Sequence, residues 1–171
     1  MTALPVLGWK EEASLPDWGI SGLRVKLDTG AKTSAIHVRE ATVTGEHLVG
    51  GLALPLLRLV IPLSRIHADR VAVVEAPVVA YKRVRDTSAL AERRPVVRTR
   101  LVCGPIDRVI DVTVTDRTGM IFRMILGRQA LAGQVMVDAS RGYTTRSSTL
   151  STRPGGGTGT QRIRRPGRRR G

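Results

Sequence analysis

Asp28-Thr29-Gly30 is the stretch of this 171-residue chain best suited to chemistry. It closes an alternating run in which Leu23, Val25 and Leu27 interleave with Arg24, Lys26 and Asp28. A period of two reads as a half-buried strand. The pattern sets a carboxylate at the strand's end, a hydroxyl beside it, and a glycine whose bare backbone admits a close neighbour. A carboxylate so placed can take a proton from water. Hydrolysis also wants an acid on the carbonyl oxygen. Two adjacent carboxylates supply both roles, because they cannot both ionise and so share one proton. A second Asp-Thr/Ser-Gly is absent: Asp86-Thr87-Ser88 and Val137-Asp138-Ala139-Ser140 lack the glycine. The chain is also too short for two lobes. The missing carboxylate must then come from a second copy, which predicts a twofold homodimer with Asp28 of each chain at the axis.

Other reactive residue types are sparse. Cys103 is the one cysteine, so no intrachain disulfide can form, and its usage fits a reducing cytoplasm. A single thiol on an apolar strand reads as buried filler. His37, His47 and His67 do not form a His-Glu-x-x-His or similar ligand set, so no metal is expected. Gly155-Gly156-Gly157 lacks the Gly-Lys-Ser/Thr ending of a phosphate loop, so no nucleotide cofactor is expected either. His37 reads as structural, and Trp9 and Trp18 as core or dimer contacts.

The elements that must position Asp28 are strands. Hydrophobic residues make up 42% of the chain and aromatics only 3%, so the core must be Val, Leu, Ile and Ala; Val and Ile favour strands. Candidate strands are Val6 to Glu12, Gly22 to Asp28, Ser34 to Val43, Leu54 to Pro62, Arg70 to Glu75, Val78 to Val84, Val96 to Cys103, Arg108 to Thr115, Phe122 to Leu126 and Val135 to Asp138. Gly104-Pro105 reads as a hairpin turn. Gly127 to Ala132 is the lone helix candidate. Many short strands with one late helix predict an all-β fold, a small closed or partly closed barrel. No apolar run is long enough to span a bilayer, and residues 1–12 do not read as a secretory signal, so a cytoplasmic location away from membranes is expected.

Net charge is +14, but eight arginines follow Tyr143 without an acid, leaving +6 for residues 1–143. Thr144 to Gly171 is Ser, Thr, Gly and Arg with little to bury, so the sequence divides into a domain over 1–143 and a disordered basic tail over 144–171. Such a tail binds nucleic acid or another polyanion without sequence preference.

Five blocks in order carry a resemblance: Gly8-Trp9, Leu15-Pro16, Lys26 to Ala35, Arg93 to Thr99, and Phe122 to Leu131. Together they resemble the bacterial retropepsin-like aspartic proteases, often labelled "ATP-dependent zinc protease" and associated with ATP-grasp glutamate ligases. The resemblance covers roughly residues 7 to 143. It implies an acid-protease barrel, a homodimer, and peptide or protein substrates. It also implies that Asp28, Thr29 and Gly30 form the catalytic loop, that Thr29 hydroxyls brace the two loops across the axis, and that Ile125-Leu126-Gly127 packs behind. Ala31, Lys32, Arg98 and Arg128 fall at cleft-side positions and are the candidates to bind substrate. Viral retropepsins carry an acid where Lys32 stands here. A cationic cleft points to acidic or glutamate-rich peptides. Val84 to Glu92 is the candidate flap. The residues also allow another reading, a non-catalytic dimeric binding module with a polyanion-binding tail.

Overall fold

The computed structural model describes residues 3–85 and 91–148. Its strands are β1 (Val6–Gly8), β2 (Lys10–Leu15), β3 (Ile20–Leu27), β4 (Ser34–His37), β5 (Glu40–Val49), β6 (Leu52–Pro62), β7 (Val71–Arg85), β8 (Ala91–Cys103), β9 (Ile106–Thr115), β10 (Met124–Leu126) and β11 (Met136–Asp138). One short helix, α1 (Arg128–Leu131), follows β10. β2, β3, β10, β4, β9 and β8 hydrogen-bond in that order, and the pairing of Ser14 with Val102 joins β8 back to β2. The protein is an all-β closed barrel, as its composition predicts. Closure leaves those six strands without a free edge. β7, β6 and β5 run on from β8 as an arm, and β1 pairs with β11 separately.

Alternation builds the interior. Leu23, Val25 and Leu27 of β3 point inward while Arg24 stays exposed. They pack with Leu15, Ile36, Leu101, Ile106, Met124 and Leu126, all fully buried. The Gly104 turn has a left-handed φ of 55°, which glycine adopts without steric cost. β8 and β9 pair from Val96↔Thr113 to Cys103↔Ile106 on its two sides.

In three places the strands are divided or joined differently from what the sequence suggests. The segment Val6 to Glu12 breaks at Trp9, whose N–H leaves the strand for Arg141 O at 2.9 Å. A Cβ on Gly8 would lie 2.5 Å from that same oxygen, so only glycine fits the crossing. Ser34 to Val43 divides into β4 and β5 because Val38 N–H bonds Thr115 O inside the barrel and Arg39 N–H bonds Val60 O on the arm. Arg70 to Glu75 and Val78 to Val84 fuse into β7. Pro77 marks the point where β7 changes partner, from β6 up to Pro77 to β8 from Val78 onward.

The described residues continue past Tyr143. Thr144–Ser148 form a 3-10 helix tied to Glu11. Glu11 is wholly buried, and its carboxylate accepts from Gly8 N at 2.8 Å, Thr144 N at 2.9 Å, Thr144 Oγ1 at 2.5 Å, Thr145 N at 3.2 Å and Thr145 Oγ1 at 3.0 Å. A buried ion without such partners would cost several kcal/mol, on the order of 3–5. Composition alone puts these threonines in the tail; a buried acid on β2 holds them to the body. Residues 86–90 of the candidate flap, and the tail from 149 on, lie outside the described residues. No helix among the described residues is long and apolar enough to cross a membrane.

Candidate active site

The Asp28 loop is the turn between β3 and β4, and it is fixed from behind. β10 lies parallel to β3 with Leu126 opposite Leu27, and Asp28 N–H donates to Leu126 O at 2.8 Å. Leu27 N–H donates to Trp9 O at 2.8 Å, so the root of the loop is held from both sides. Ala31 N–H closes the turn on Asp28 O at 3.1 Å. Gly127 N–H reaches Ser34 Oγ at 3.2 Å, and a Cβ at Gly127 would strike the Thr33 backbone at 2.5 Å. Ile125-Leu126-Gly127 therefore packs behind the loop.

The start of α1 continues this support. Arg128 N–H donates to Ala31 O at 2.8 Å and Gln129 N–H to Lys32 O at 3.0 Å. The Arg128 guanidinium then reaches forward and donates to Thr29 O at 3.0 Å and Gly30 O at 2.9 Å. Arg128, placed by its motif among the substrate-binding candidates, is thus a positioning residue for the loop. A second brace comes from β7, where Lys82 Nζ donates to Thr33 Oγ1 at 2.5 Å.

Asp28 itself is 26% exposed at its side chain. Oδ1 accepts from Gly30 N–H at 3.1 Å, and Oδ2 faces Lys26 Nζ at 3.3 Å. A Cβ on Gly30 would sit 3.3 Å from Oδ1, so the glycine keeps the carboxylate uncrowded. Burial raises the pKa of Asp28, but the Lys26 ammonium and the N–H groups of Gly30 and Ala31 outweigh it and bring the value below the ordinary one. The group is held as the ionised carboxylate. Lys26, which alternation places on the same strand face, is the charged neighbour that the motif did not flag. Arg117 is another. It is half-buried, burial lowers its pKa, and attraction to Asp28 offsets part of that loss. It lies far from Asp28 in sequence, in the turn between β9 and β10, where no spacing rule connects the two.

The remaining candidates divide. Thr29, Gly30 and Lys32 form the exposed rim of the loop, with half-buried Ala31 between them. Arg98 does not join them: on β8 opposite Asp111, its guanidinium donates to both carboxylate oxygens, at 2.7 and 3.3 Å. His37 is buried, and its Nδ1 accepts from Arg117 N–H at 2.8 Å. Burial and the nearby Arg123 charge lower its pKa against the pull of Asp116, which keeps the ring neutral and structural. His47 Nε2 meets Val78 O at 2.8 Å. Burial pushes the Cys103 thiol up to about 12, so it is no nucleophile. Among the described residues no three His, Cys, Asp or Glu side chains converge as a metal site. With His37 and His47 engaged by the backbone and Cys103 sealed in the core, these residues do not fit zinc.

Comparison with known proteins agrees with this geometry. Residues 58–148 match the RimB-like family, described as the retropepsin-like aspartic endopeptidase RimB. The match ends at Ser148, where the 3-10 helix on Glu11 ends. The chain is 35% identical over 140 residues to a probable alpha-L-glutamate ligase of Parasynechococcus marenigrum, covering 81% of this chain and 28% of that protein. A protein of the same name from Desulfotalea psychrophila is 32% identical over 139 residues, again with 28% of its length matched. The chain thus spans just over a quarter of these curated relatives. A crystal structure of a Legionella pneumophila protein of unknown function superposes with a TM-score of 0.62 at 29% identity, covering 84% of this chain and 99% of that one.

Proposed function

The chain belongs to the RimB-like family of retropepsin-like aspartic endopeptidases, and from that premise we propose that it is a homodimeric aspartic peptidase in which Asp28 of each copy activates one shared water. The observation that carries the reading is the Asp28 loop. Its carboxylate is partly exposed and held ionised, and the backbone behind it is fixed by Leu126, Gly127 and Arg128. One chain supplies one such carboxylate. Bringing two together makes them compete for one proton. The ionised Asp28 takes a proton from the water as it attacks the carbonyl carbon. The protonated Asp28 of the other copy donates to the carbonyl oxygen. The proton taken from the water then passes to the amide nitrogen as the C–N bond breaks, and a diol hydroxyl returns its proton to the other carboxylate, so that the pair again shares one proton.

The substrate class follows from the charges around the loop. Lys26 and Arg117 act on Asp28, and Lys32 stands on the rim. A cleft of this sign concentrates anionic chains and suits acidic or glutamate-rich peptides. Curated relatives named for glutamate ligation support the same class. In this reading the β7–β8 hairpin, tied to the loop through Lys82 and Thr33, is the flap.

The test is a peptide-library cleavage assay on wild type and Asp28→Asn, from about pH 4 to about pH 8. Cleavage that prefers glutamate near the cut, survives a chelator and vanishes in Asp28→Asn supports the proposal. Cleavage that persists in Asp28→Asn overturns the mechanism. An equal rate on lysine-flanked peptides overturns the substrate class alone.

A further inference from the structure

Two grooves meet at a wall that both share, formed by Ser64, Arg65 and Arg123. One, of about 500 Å³, opens between the turn joining β4 to β5 and the turn joining β9 to β10. The other, of about 730 Å³, opens beside β2, the start of β3 and the turn after β6. No residue of the Asp28–Thr33 loop lines either one. The aromatic faces of the larger groove are already covered. Lys10 lies 4.8 Å from the Trp9 centroid, Arg146 and Arg24 lie 4.5 and 5.9 Å from the Tyr143 centroid, and Trp9 meets Phe122 edge-on. Arg146 also pairs with Glu12. Guanidinium is what remains. Arg65, Arg70 and Arg123 form no ion pair among the described residues, and the Arg123 Nε is buried without a hydrogen-bond partner. The acids of the smaller groove accept instead from threonines beside them: Glu40 from Thr42 Oγ1 at 2.9 Å, and Asp116 from Thr118 N at 2.7 Å and Thr118 Oγ1 at 2.5 Å. The turn that carries Arg65 and Arg70 is held in place, because Arg39 donates to Ala68 O at 2.9 Å and Leu63 N–H to Arg70 O at 2.9 Å.

We propose that the two grooves form one outlying subsite, which takes the carboxylates of an acidic peptide several residues away from the scissile bond; the inference rests on the reading of Asp28 given above. Charge supports it. The two linings together hold seven lysines and arginines against three carboxylates, a balance that draws an anionic chain in. Chemistry supports it too. A guanidinium fork grips a carboxylate through two parallel hydrogen bonds, and the half-buried Arg123 charge acts through less water than a surface arginine does. Placement sets the distance. Arg123 directly precedes β10, its carbonyl accepts from His37 N–H at 2.7 Å, and at the other end of β10 Leu126 O holds Asp28 N–H. A strand rises about 3.3 Å per residue, so Arg123 lies about 10 Å along β10 from the root of the catalytic loop. An extended peptide cut at Asp28 covers that distance in about three residues. Single-stranded nucleic acid would need open ring faces on which to stack its bases, and the cations and the neighbouring ring already cover those of the groove. An acidic peptide needs only the arginines.

The experiment compares two peptides with one cleavable core, carrying either glutamates or serines from about the fourth residue outward on both sides of the cut. Wild type should show a KM about tenfold lower for the glutamate peptide. Arg65→Ala/Arg70→Ala, at two exposed positions of the turn after β6, should lose most of that preference. Arg58→Ala/Arg100→Ala removes two exposed arginines outside both grooves and should keep it. In parallel, fluorescence anisotropy with labelled oligoglutamate of about a dozen residues reads binding without cleavage, using the full-length Asp28→Asn chain. The groove changes should weaken that binding by about tenfold, and the control pair far less. Equal weakening by both pairs, or a groove variant that keeps its affinity and its KM preference, refutes the subsite. Oligouridylate of equal charge that binds as tightly, and is weakened as much by the groove changes, overturns the assignment to acidic peptide. If wild type cleaves neither peptide while the groove changes still weaken oligoglutamate binding, the Asp28 reading falls and the acidic-peptide site stands.

Discussion

Glu11 is wholly buried and accepts five N–H and O–H donors, whereas Asp28 keeps 26% of its side chain exposed and accepts one backbone N–H beside one ammonium. An ionised carboxylate offers about four acceptor positions. At Glu11 all are spent on holding β2, the bend at Gly8 and the root of the tail. At Asp28 about two remain for a water and a partner carboxylate. The polypeptide lowers both pKa values, yet for different ends: Thr144, Gly8 and Thr145 overcome burial at Glu11, and Lys26 leads the donors that overcome it at Asp28. A saturated carboxylate is architecture; an unsaturated one on a braced loop is, on the proposed reading, a reagent.

Substitution should separate the two roles cleanly. Asp28→Asn is expected to lower kcat/KM by at least about 10³-fold, within the range general acid–base groups contribute, while denaturant unfolding stays near wild type. Glu11→Ala should do the converse. It strands buried donors at about 1–3 kcal/mol each after relaxation, so a loss of about 3 kcal/mol in urea unfolding is expected. A Glu11→Ala protein of wild-type stability would break the comparison.

Smaller effects sharpen it. Arg128→Ala removes the donor to Thr29 O and Gly30 O, so kcat should fall by about 10–100-fold with KM little changed, as for a misplaced catalytic group. Arg98→Ala, which breaks only the exposed pair with Asp111, should change stability by about 0–1 kcal/mol and leave kcat alone. Lys26→Met removes the charge that lowers the Asp28 pKa, so the acid limb of the kcat/KM profile should move to higher pH. Stability should follow Glu11 in acid. Its folded pKa lies below the ordinary 4.5, so the unfolded chain binds the proton first. Thermal unfolding temperatures then fall as pH drops below that value, and Glu11→Gln flattens the fall. The smallest effect concerns Cys103, which should resist alkylation in the native protein until urea exposes it.

The loop is the most legible part of the molecule. Period-two alternation through Leu27 and a glycine after Asp28-Thr29 describe a strand end carrying a carboxylate, and the structure has one there. Long-range support is less legible. Arg128 and Arg98 are both arginines at motif positions, and only the ladder placing Arg98 against Asp111 distinguishes them. Pro77 reads as a gap because a strand proline removes a donor; it is tolerated where β7 exchanges β6 for β8. Glu11 carries a signal of its own. Glu11, Ala13 and Leu15 share the buried face of β2, and an acid in that register requires donors from elsewhere. Those donors are Thr144 and Thr145, which tail-like composition hides.

The most direct test of the central claim, one catalytic centre shared by two Asp28 carboxylates, is subunit mixing. Wild type and Asp28→Asn are combined in equal amounts, allowed to exchange subunits, and assayed on a glutamate-rich peptide at fixed total protein. Twofold pairing at random leaves about a quarter of the dimers with two intact carboxylates. The account predicts about a quarter of the wild-type rate. A rate of about half, with activity independent of dilution, would mean that each chain works with its own Asp28 alone, and would contradict the shared site.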